Sequence, residues 1–143
     1  MNTLSIEQIR PELTWNLRNK ILYPESAYED MAMEEDNHGI HFGGFLNNRL
    51  IAVVSLFQKE TDFQFRKFAV DESLQGQGIG RQVLDYITVF SEQEGGTRLW
   101  CNARISACGF YDKNGFQHTG EFFSRGGYDY EILEKQLTPR SGQ

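Results

Sequence analysis

LQGQGIGRQVL, residues 74–84, places glycines at Gly76, Gly78 and Gly80 and then continues directly into a helical pattern. Glycine leaves the backbone free to adopt unusual dihedral angles and lets another group approach closely. The start of a helix presents unpaired N–H groups and the positive end of the helix dipole, both of which suit an anion. This stretch therefore predicts a phosphate-binding loop.

Helices and strands alternate on both sides of this loop. A helical stripe is predicted from Pro11 through about residue 22, followed by an acidic loop over 25–38. Further elements are predicted by periodicity and by turn residues. They are strands over 40–46, 49–57 and 62–70 with a tight turn at Asn47-Asn48, a helix from Ile79 to Gly95-Gly96, a strand over 98–103, a short helix over 105–116 that Ser106 caps and Gly115 closes, and strands over 119–125 and 128–137 joined at Gly126-Gly127. The order predicts an α+β fold in which a crossover helix links two neighbouring strands.

The strand before the loop, DFQFRKFAV, has an irregular alternation. Phe63 and Phe65 are in phase with each other, but Phe68 and Val70 are shifted by one position. A shift of this kind is typical of a β-bulge, here near Arg66-Lys67.

Two known phosphate-binding designs do not match the glycine spacing. A P-loop requires four residues between its glycines and then Lys-Ser or Lys-Thr, which are not present in residues 74–84. A dinucleotide fingerprint requires G-x-G-x-x-G after an early parallel strand, and Arg81 stands at the third glycine position. A nucleotide-binding domain of either type is therefore disfavoured.

The sequence Q75-G76-Q77-G78-I79-G80, preceded by F68-A69-V70-D71, resembles the Q/R-x-x-G-x-G/A pyrophosphate loop of the GNAT superfamily of acyl-CoA-dependent N-acyltransferases. About 30 residues later, Y111-D112-K113-N114-G115-F116 is similar to that superfamily's Tyr-x-x-x-Gly-Phe pattern. The resemblance covers roughly residues 39–135. It implies a single GNAT-like domain over 1–143, with a mixed, mostly antiparallel sheet of about six or seven strands and flanking helices.

The resemblance also implies a co-substrate, acetyl-CoA, and the residues that bind it. The N–H groups of Gly76 through Gly80 would capture the pyrophosphate, Arg81 would add a cation, and backbone groups of Phe68 and Val70 would bind the acyl-pantetheine arm, with the Phe68 N–H as an oxyanion donor. The full predicted binding set is Phe68, Ala69, Val70, Gln75, Gly76, Gln77, Gly78, Ile79, Gly80, Arg81, Asn102 and Lys113.

Tyr111 is the predicted general acid. Its ordinary pKa of about 10 lies close to that of a thiol, so its hydroxyl can protonate a departing thiolate. The superfamily often has Asn seven residues before this tyrosine, where this chain has Arg104. Whether Arg104 or Asn102 faces the cofactor therefore stays open. The general base also stays open, among Glu60, Asp71 and a water held by Asn102.

Composition limits the partners and the compartment. The 143 residues carry a formal net charge of −6, which argues against nucleic acid and favours cationic substrates such as amines. No apolar run approaches a membrane span, and the N-terminus lacks the layout of a signal peptide. Two cysteines do not make a disulfide framework, so a reduced, cytoplasmic protein is predicted, as a monomer or homodimer.

Two other residue pairs resemble a metal site and a catalytic pair, and the sequence disfavours both. His38 and His41 lie three apart in or near a strand, where their side chains would point to opposite faces, so a shared metal is disfavoured. Cys108 with His118 lacks a third orienting group and is interpreted as an ordinary buried cysteine. The sequence predicts no metal site.

The predicted activity is transfer of an acetyl group from acetyl-CoA to a primary amine of a small molecule or peptide by direct attack. The alternative is a non-catalytic acyl-CoA-binding regulatory module. The resemblance places the acceptor site at residues 11–38 and 119–135. Carboxylates beside aromatic residues there would suit an amine, and Arg18 would pair an acidic group on the same acceptor.

Overall fold

A computed structural model describes residues 3–140 of the chain. Within them the fold is α+β, as predicted, and its sheet has seven strands. The strands are β1 (Ser5–Ile9), β2 (Ile40–Leu46), β3 (Arg49–Lys59), β4 (Asp62–Val70), β5 (Arg98–Arg104), β6 (Gln117–Arg125) and β7 (Tyr128–Gln136). The helices are α1 (Trp15–Leu17), α2 (Ile79–Gln93) and α3 (Cys108–Lys113), accompanied by 3₁₀ turns at Pro11–Thr14, Tyr28–Met31, Glu34–His38, Glu72–Leu74 and Ile105–Ala107 and a π-helical turn at Arg18–Leu22.

The strands are ordered β1-β2-β3-β4-β5-β7-β6 in one mostly antiparallel sheet. Strand β4 pairs in parallel with β5, with Asp62 opposite Arg98 and Gln64 opposite Trp100. Parallel neighbours need a crossover connection, and α2 supplies it. The predicted crossover helix is confirmed.

The predicted turns follow from backbone conformations that few residue types adopt readily. Asn47 and Asn48 join β2 to β3 with φ of 51° and 64°, a left-handed pair typical of a tight hairpin turn. Gly95, with φ of 86°, ends α2 and donates its N–H to the Glu92 carbonyl. These local predictions are confirmed.

The helical stretch predicted from Pro11 through about residue 22 is confirmed in its bounds, as consecutive 3₁₀, α and π turns that begin at Pro11 and end at Leu22. Two other local features differ from the prediction. Strand β1 was not predicted, because SIEQI is a mostly exposed edge strand that pairs with β2. Ser106 does not cap α3: Ala107 occupies that position and makes no side-chain capping bond.

The chain divides into two compact units. The first holds residues up to Phe57 and Phe65–Ile87, and its core includes Leu17, Val53 and Ala69, with the apolar stripe of α2 buried at Ile79, Val83, Leu84 and Ile87. The second holds Gln58–Gln64 and the chain from Thr88, with Phe63, Leu99 and Leu133 fully buried. The single domain predicted over 1–143 stays a prediction.

Among the described residues, no helix has the length and apolar character needed to cross a membrane.

Candidate active site

The glycine loop, residues 74–81, adopts the conformation that its sequence requires. Gly76 and Gly78 have φ of 80° and 82°, in the left-handed region that L side chains avoid. A Cβ built on either glycine would meet no atom within 4 Å. The loop backbone is therefore open to a ligand at both positions. Gly80 differs, since it lies inside the first turn of α2 with ordinary helical φ.

Helix α2 begins directly after Gly78. The Gly78 carbonyl accepts the N–H of Gln82 at 3.2 Å, which closes the first turn. The N–H groups of Ile79, Gly80 and Arg81 are the first of the helix, ahead of its regular ladder, and lie at the positive end of the helix dipole. Open glycine backbone followed by a helix start fits a pyrophosphate.

Side chains of the loop fix its shape rather than reaching outward. The Gln75 amide donates to the Val70 carbonyl at 3.0 Å, and the Gln77 amide donates to the Ser73 carbonyl at 3.4 Å. The exposed Arg81 lies 3.9 Å from Asp85 on the next turn of α2. The Gln75 N–H is also engaged, since it donates to the Glu72 carbonyl at 3.4 Å, so the main-chain donors of this loop begin at Gly76.

Asp71 organises the start of this loop. Its buried carboxylate accepts the Ser73 hydroxyl at 2.8 Å, the Ser73 N–H at 3.0 Å and the Arg49 guanidinium at 2.9 Å. The bonds from Ser73, with the nearby charges of Lys20 and Arg49, lower the pKa of Asp71. A carboxylate this well stabilised is a poor proton acceptor, so Asp71 does not suit the general base.

Strand β4 has an irregular backbone where the bulge was predicted. Lys67 is left-handed, with φ of 55°, although it is not a glycine. The sequence pattern made Phe68 and Val70 the apolar positions after the bulge. In the structure the intervening Ala69 is the buried residue, whereas Phe68 and Val70 are half-buried. Phe68 packs edge-on against Phe65, with ring centroids 6.2 Å apart.

Arg18 is not available to an acceptor, contrary to the sequence prediction. Its guanidinium is fully buried and donates to both oxygens of Asp36, at 2.9 and 3.0 Å. It also donates to the Ser55 hydroxyl, which lies 2.7 Å from Nδ1 of His41. His41 Nε2 faces the Asp36 carbonyl at 2.8 Å and therefore donates to it. The arrangement is a structural network that anchors the acidic segment to β2 and β3.

The acidic segment is neutralised at a second position. Glu35 accepts a 2.7 Å bond from Arg66 of β4, and this bond lowers the pKa of Glu35. Next to Arg66, Lys67 contacts both the hydroxyl and the ring face of Tyr23. Neither contact had a signal in the sequence, because the partners lie 31 and 44 positions apart.

Tyr111 lies in α3 with its side chain largely buried. Its ring makes edge-on contacts with Phe110 and Phe116, at centroid distances of 5.2 and 5.6 Å. Burial raises the pKa of Tyr111, and the neighbouring Cys101 and Cys108 raise it further. The hydroxyl is therefore protonated at neutral pH, and in this environment it is a weaker acid than an ordinary tyrosine hydroxyl.

Asn102 and Arg104 share one face of β5, because Leu99, Cys101 and Ala103 take the buried face. The Arg104 guanidinium stacks on the Tyr128 ring, 3.9 Å from its centroid. Lys113 is exposed at the end of α3. Glu60, another base considered, is exposed in the β3–β4 turn with φ of 56°. The first compact unit holds the loop residues with Phe68, Ala69 and Val70, and the second holds Asn102, Tyr111 and Lys113.

Comparison with known proteins identifies the family. The model of the family described as acetyltransferase (GNAT) domain matches residues 4–137. The uncharacterized N-acetyltransferase YitI of Bacillus subtilis (strain 168) is 27% identical over 139 residues, covering 91% of this chain and 93% of that protein.

Solved structures agree on the fold. A Lactobacillus plantarum protein assigned as an N-acetyltransferase superposes with a TM-score of 0.85 at 21% identity, over 95% of this chain and 99% of that one. An aminoglycoside 6'-N-acetyltransferase complexed with coenzyme A gives a TM-score of 0.79 at 14% identity, over 95% and 98%. The chain therefore belongs to the GNAT acetyltransferase family, and it is an acyltransferase with acetyl-CoA as its co-substrate.

Proposed function

We propose that this acyltransferase moves an acetyl group from acetyl-CoA to a primary amine of a small molecule or peptide by direct attack. The observation that carries the proposal is the pair of left-handed glycines, Gly76 and Gly78, with open space where a Cβ would stand, directly before the start of α2. Such a loop offers main-chain N–H groups to a diphosphate without a side chain in the way.

The glycine loop binds the pyrophosphate of the co-substrate through its backbone. The Gln75 and Gln77 side chains hold the loop in shape, and the N–H groups from Gly76 through Gly80 provide the donors. Arg81 adds a positive charge at the same helix start. Because Arg81 is exposed and already close to Asp85, its contribution is small.

Strand β4 holds the acyl-pantetheine arm. The left-handed Lys67 interrupts the regular strand, and we assign the main chain of Phe68 and Val70 beyond it to the acyl-pantetheine arm. The Phe68 N–H polarises the thioester carbonyl, and the buried Ala69 anchors this stretch in the core. Asn102 and Lys113 complete the binding set with polar contacts from β5 and α3.

Proton transfer completes the reaction. The amine nitrogen attacks the thioester carbonyl carbon, the C–S bond breaks, and the Tyr111 hydroxyl gives its proton to the departing sulfur. The raised pKa keeps Tyr111 protonated before transfer but makes its hydroxyl a weaker acid than an ordinary tyrosine, so proton transfer requires that the bound co-substrate bring the pKa of Tyr111 back toward that of the thiol. Water accepts the proton lost by the amine, since Asp71 is held as a stabilised carboxylate and Glu60 is a turn residue.

The test is release of free thiol from acetyl-CoA with a matched panel of acceptors. The panel pairs primary amines of small molecules with peptides that have a free N-terminus, and each acceptor is accompanied by its N-acetylated form as a blank. We expect thiol release that depends on one class of free amine, with the acetylated product confirmed by mass. Binding of acetyl-CoA without thiol release for any amine would instead support the non-catalytic acyl-CoA-binding module.

A further inference from the structure

Three side chains that bind transition metals meet in the second compact unit, and none of them belongs to the predicted cofactor-binding set. Cys108 begins α3, His118 lies on β6 and Glu131 lies on β7. Their ligand atoms are all within 4.8 Å of one another. Cys108 and Glu131 are buried, whereas the His118 side chain is 48% exposed, so an ion can reach the cluster from solvent.

Asp112 fixes the orientation of the His118 ring. The imidazole Nε2 lies 2.6 Å from Asp112 Oδ1, and Nδ1 lies 2.7 Å from Glu131 Oε1. Because both partners are carboxylates, Nε2–H donates to Asp112 and Nδ1–H donates to Glu131, and the Nδ1 proton is the one that a metal would replace. A carboxylate on the outer ring nitrogen is the usual support for a metal-bound histidine.

The Glu131 carboxylate is also held in place. Its Oε2 accepts the N–H of Gly120 at 3.1 Å, which leaves Oε1 on the side of His118. Gly120 is left-handed, with φ of 81°, inside a bulge where the pairing of β6 with β7 shifts between His118 and Phe122. Bulges are frequent next to functional sites, where they re-aim a donor or a side chain.

The cluster has an excess of acidic groups without a metal. Two carboxylates face one imidazole, and the Cys108 thiol lies beside them and donates weakly to the Arg104 carbonyl at 3.8 Å. Burial, together with Glu131 and Asp112, raises the pKa of Cys108. The hydrogen bonds to Glu131 and Asp112 raise the pKa of His118, which favours the charged imidazolium.

We propose that Cys108, His118 Nδ1 and Glu131 bind one Zn²⁺ ion, with Asp112 as the positioning residue and water in the fourth place. Thiolate, imidazole and carboxylate together favour zinc over the hard cations Mg²⁺ and Ca²⁺. Binding replaces two protons, one from the thiol and one from His118 Nδ1, and both are released to solvent. Tetrahedral zinc needs its ligand atoms about 3.3–3.7 Å apart, so the atoms rearrange by about 1 Å from their present spacing.

The experiment uses the full chain stripped with chelator and then titrated with Zn²⁺ or Co²⁺ alone. We expect one ion per chain by calorimetry, release of protons that varies with buffer ionisation, and a thiolate-to-cobalt charge-transfer band with Co²⁺. Cys108→Ala should abolish the band, and Cys101→Ala is the matched control because Cys101 is the second buried cysteine but lies outside the cluster.

Two more variants test the site even if Cys108→Ala does not fold. His118→Gln changes a half-exposed side chain and should lower zinc affinity at least about 100-fold, whereas Asp112→Asn should lower it about 10–100-fold and leave the cobalt band in place. Circular dichroism in chelator establishes that each variant is folded. The proposal is overturned if the parent shows no band, if Cys108→Ala keeps it, or if Cys101→Ala loses it equally.

Discussion

The glycine loop and helix α3 serve the proposed reaction in opposite ways. The loop is exposed, has open space above Gly76 and Gly78, and offers main-chain N–H groups. Helix α3 presents a side chain, Tyr111, that is buried among aromatic rings. A site made of backbone should fail when atoms are added to it, whereas a site made of one hydroxyl should fail when that single group is removed.

The largest expected effect comes from adding atoms to the loop. Gly78→Asp forces a non-glycine residue to φ of 82° and places a carboxylate where the pyrophosphate would bind, so we expect no measurable acetyl-CoA binding by calorimetry. Gly95→Asp is the matched control, because Gly95 is left-handed and open in the same way at the other end of α2. Unchanged CoA affinity in a folded Gly78→Asp protein would remove the loop from the site.

The second effect comes from removing one atom in α3. Tyr111→Phe keeps the ring and deletes the proton donor, so kcat should fall about 10²–10⁴-fold while acetyl-CoA affinity changes little. Steady-state rates and thermal unfolding are measured together, with Tyr86→Phe on α2 as the control. Turnover within about threefold of the parent, in an enzyme limited by chemistry, would exclude Tyr111 as the acid.

A third region, the buried pair of Arg18 and Asp36, sharpens the comparison because it lies in neither site. Asp36→Asn leaves the Arg18 charge buried without its counter-ion and should cost about 3–5 kcal/mol of unfolding free energy, measured in urea at pH 7. If the variant is as stable as the parent, the pair is not a structural anchor.

The same pair predicts a pH dependence. Burial alone would raise the pKa of Asp36, but hydrogen bonds from Arg18 and from the Met33 N–H outweigh it and lower the pKa. A lowered pKa in the folded state means that this stability is present above the unfolded value of about 3.9 and is lost as the pH falls below it. The urea midpoint of the parent should therefore decline below about pH 4, and Asp36→Asn should decline less steeply. Equal slopes would contradict the assignment.

The smallest effect is expected at Arg81. Its side chain is 76% exposed, and its guanidinium is 3.9 Å from Asp85. Arg81→Gln should therefore raise the KM for acetyl-CoA by no more than about fivefold, which corresponds to roughly 1 kcal/mol, and the difference should shrink as salt increases. A KM that does not change even at low salt would show that the loop binds through its backbone alone.

The local features of this protein were predictable from the sequence because they depend on neighbouring residues. Strands β2 and β4 and the start of α2 lie at the predicted bounds, since alternation and helical spacing are local properties. The turn at Asn47-Asn48 and the left-handed Gly76 and Gly78 follow from residue types that tolerate positive φ. The family resemblance rests on the same short motifs and is confirmed by the match over residues 4–137.

Tertiary structure alone decided which side chains meet. The sequence assigned Arg18 to a substrate, but the fold places it against Asp36, because a buried guanidinium requires a counter-ion from whichever segment packs over it. It interpreted Cys108 as a cysteine without an orienting group. The fold brings His118 and Glu131 to it from β6 and β7, beside a bulge in β6. Contacts between residues 10 to 23 positions apart depend on strand pairing and register, and no periodicity or motif within a single segment encodes them.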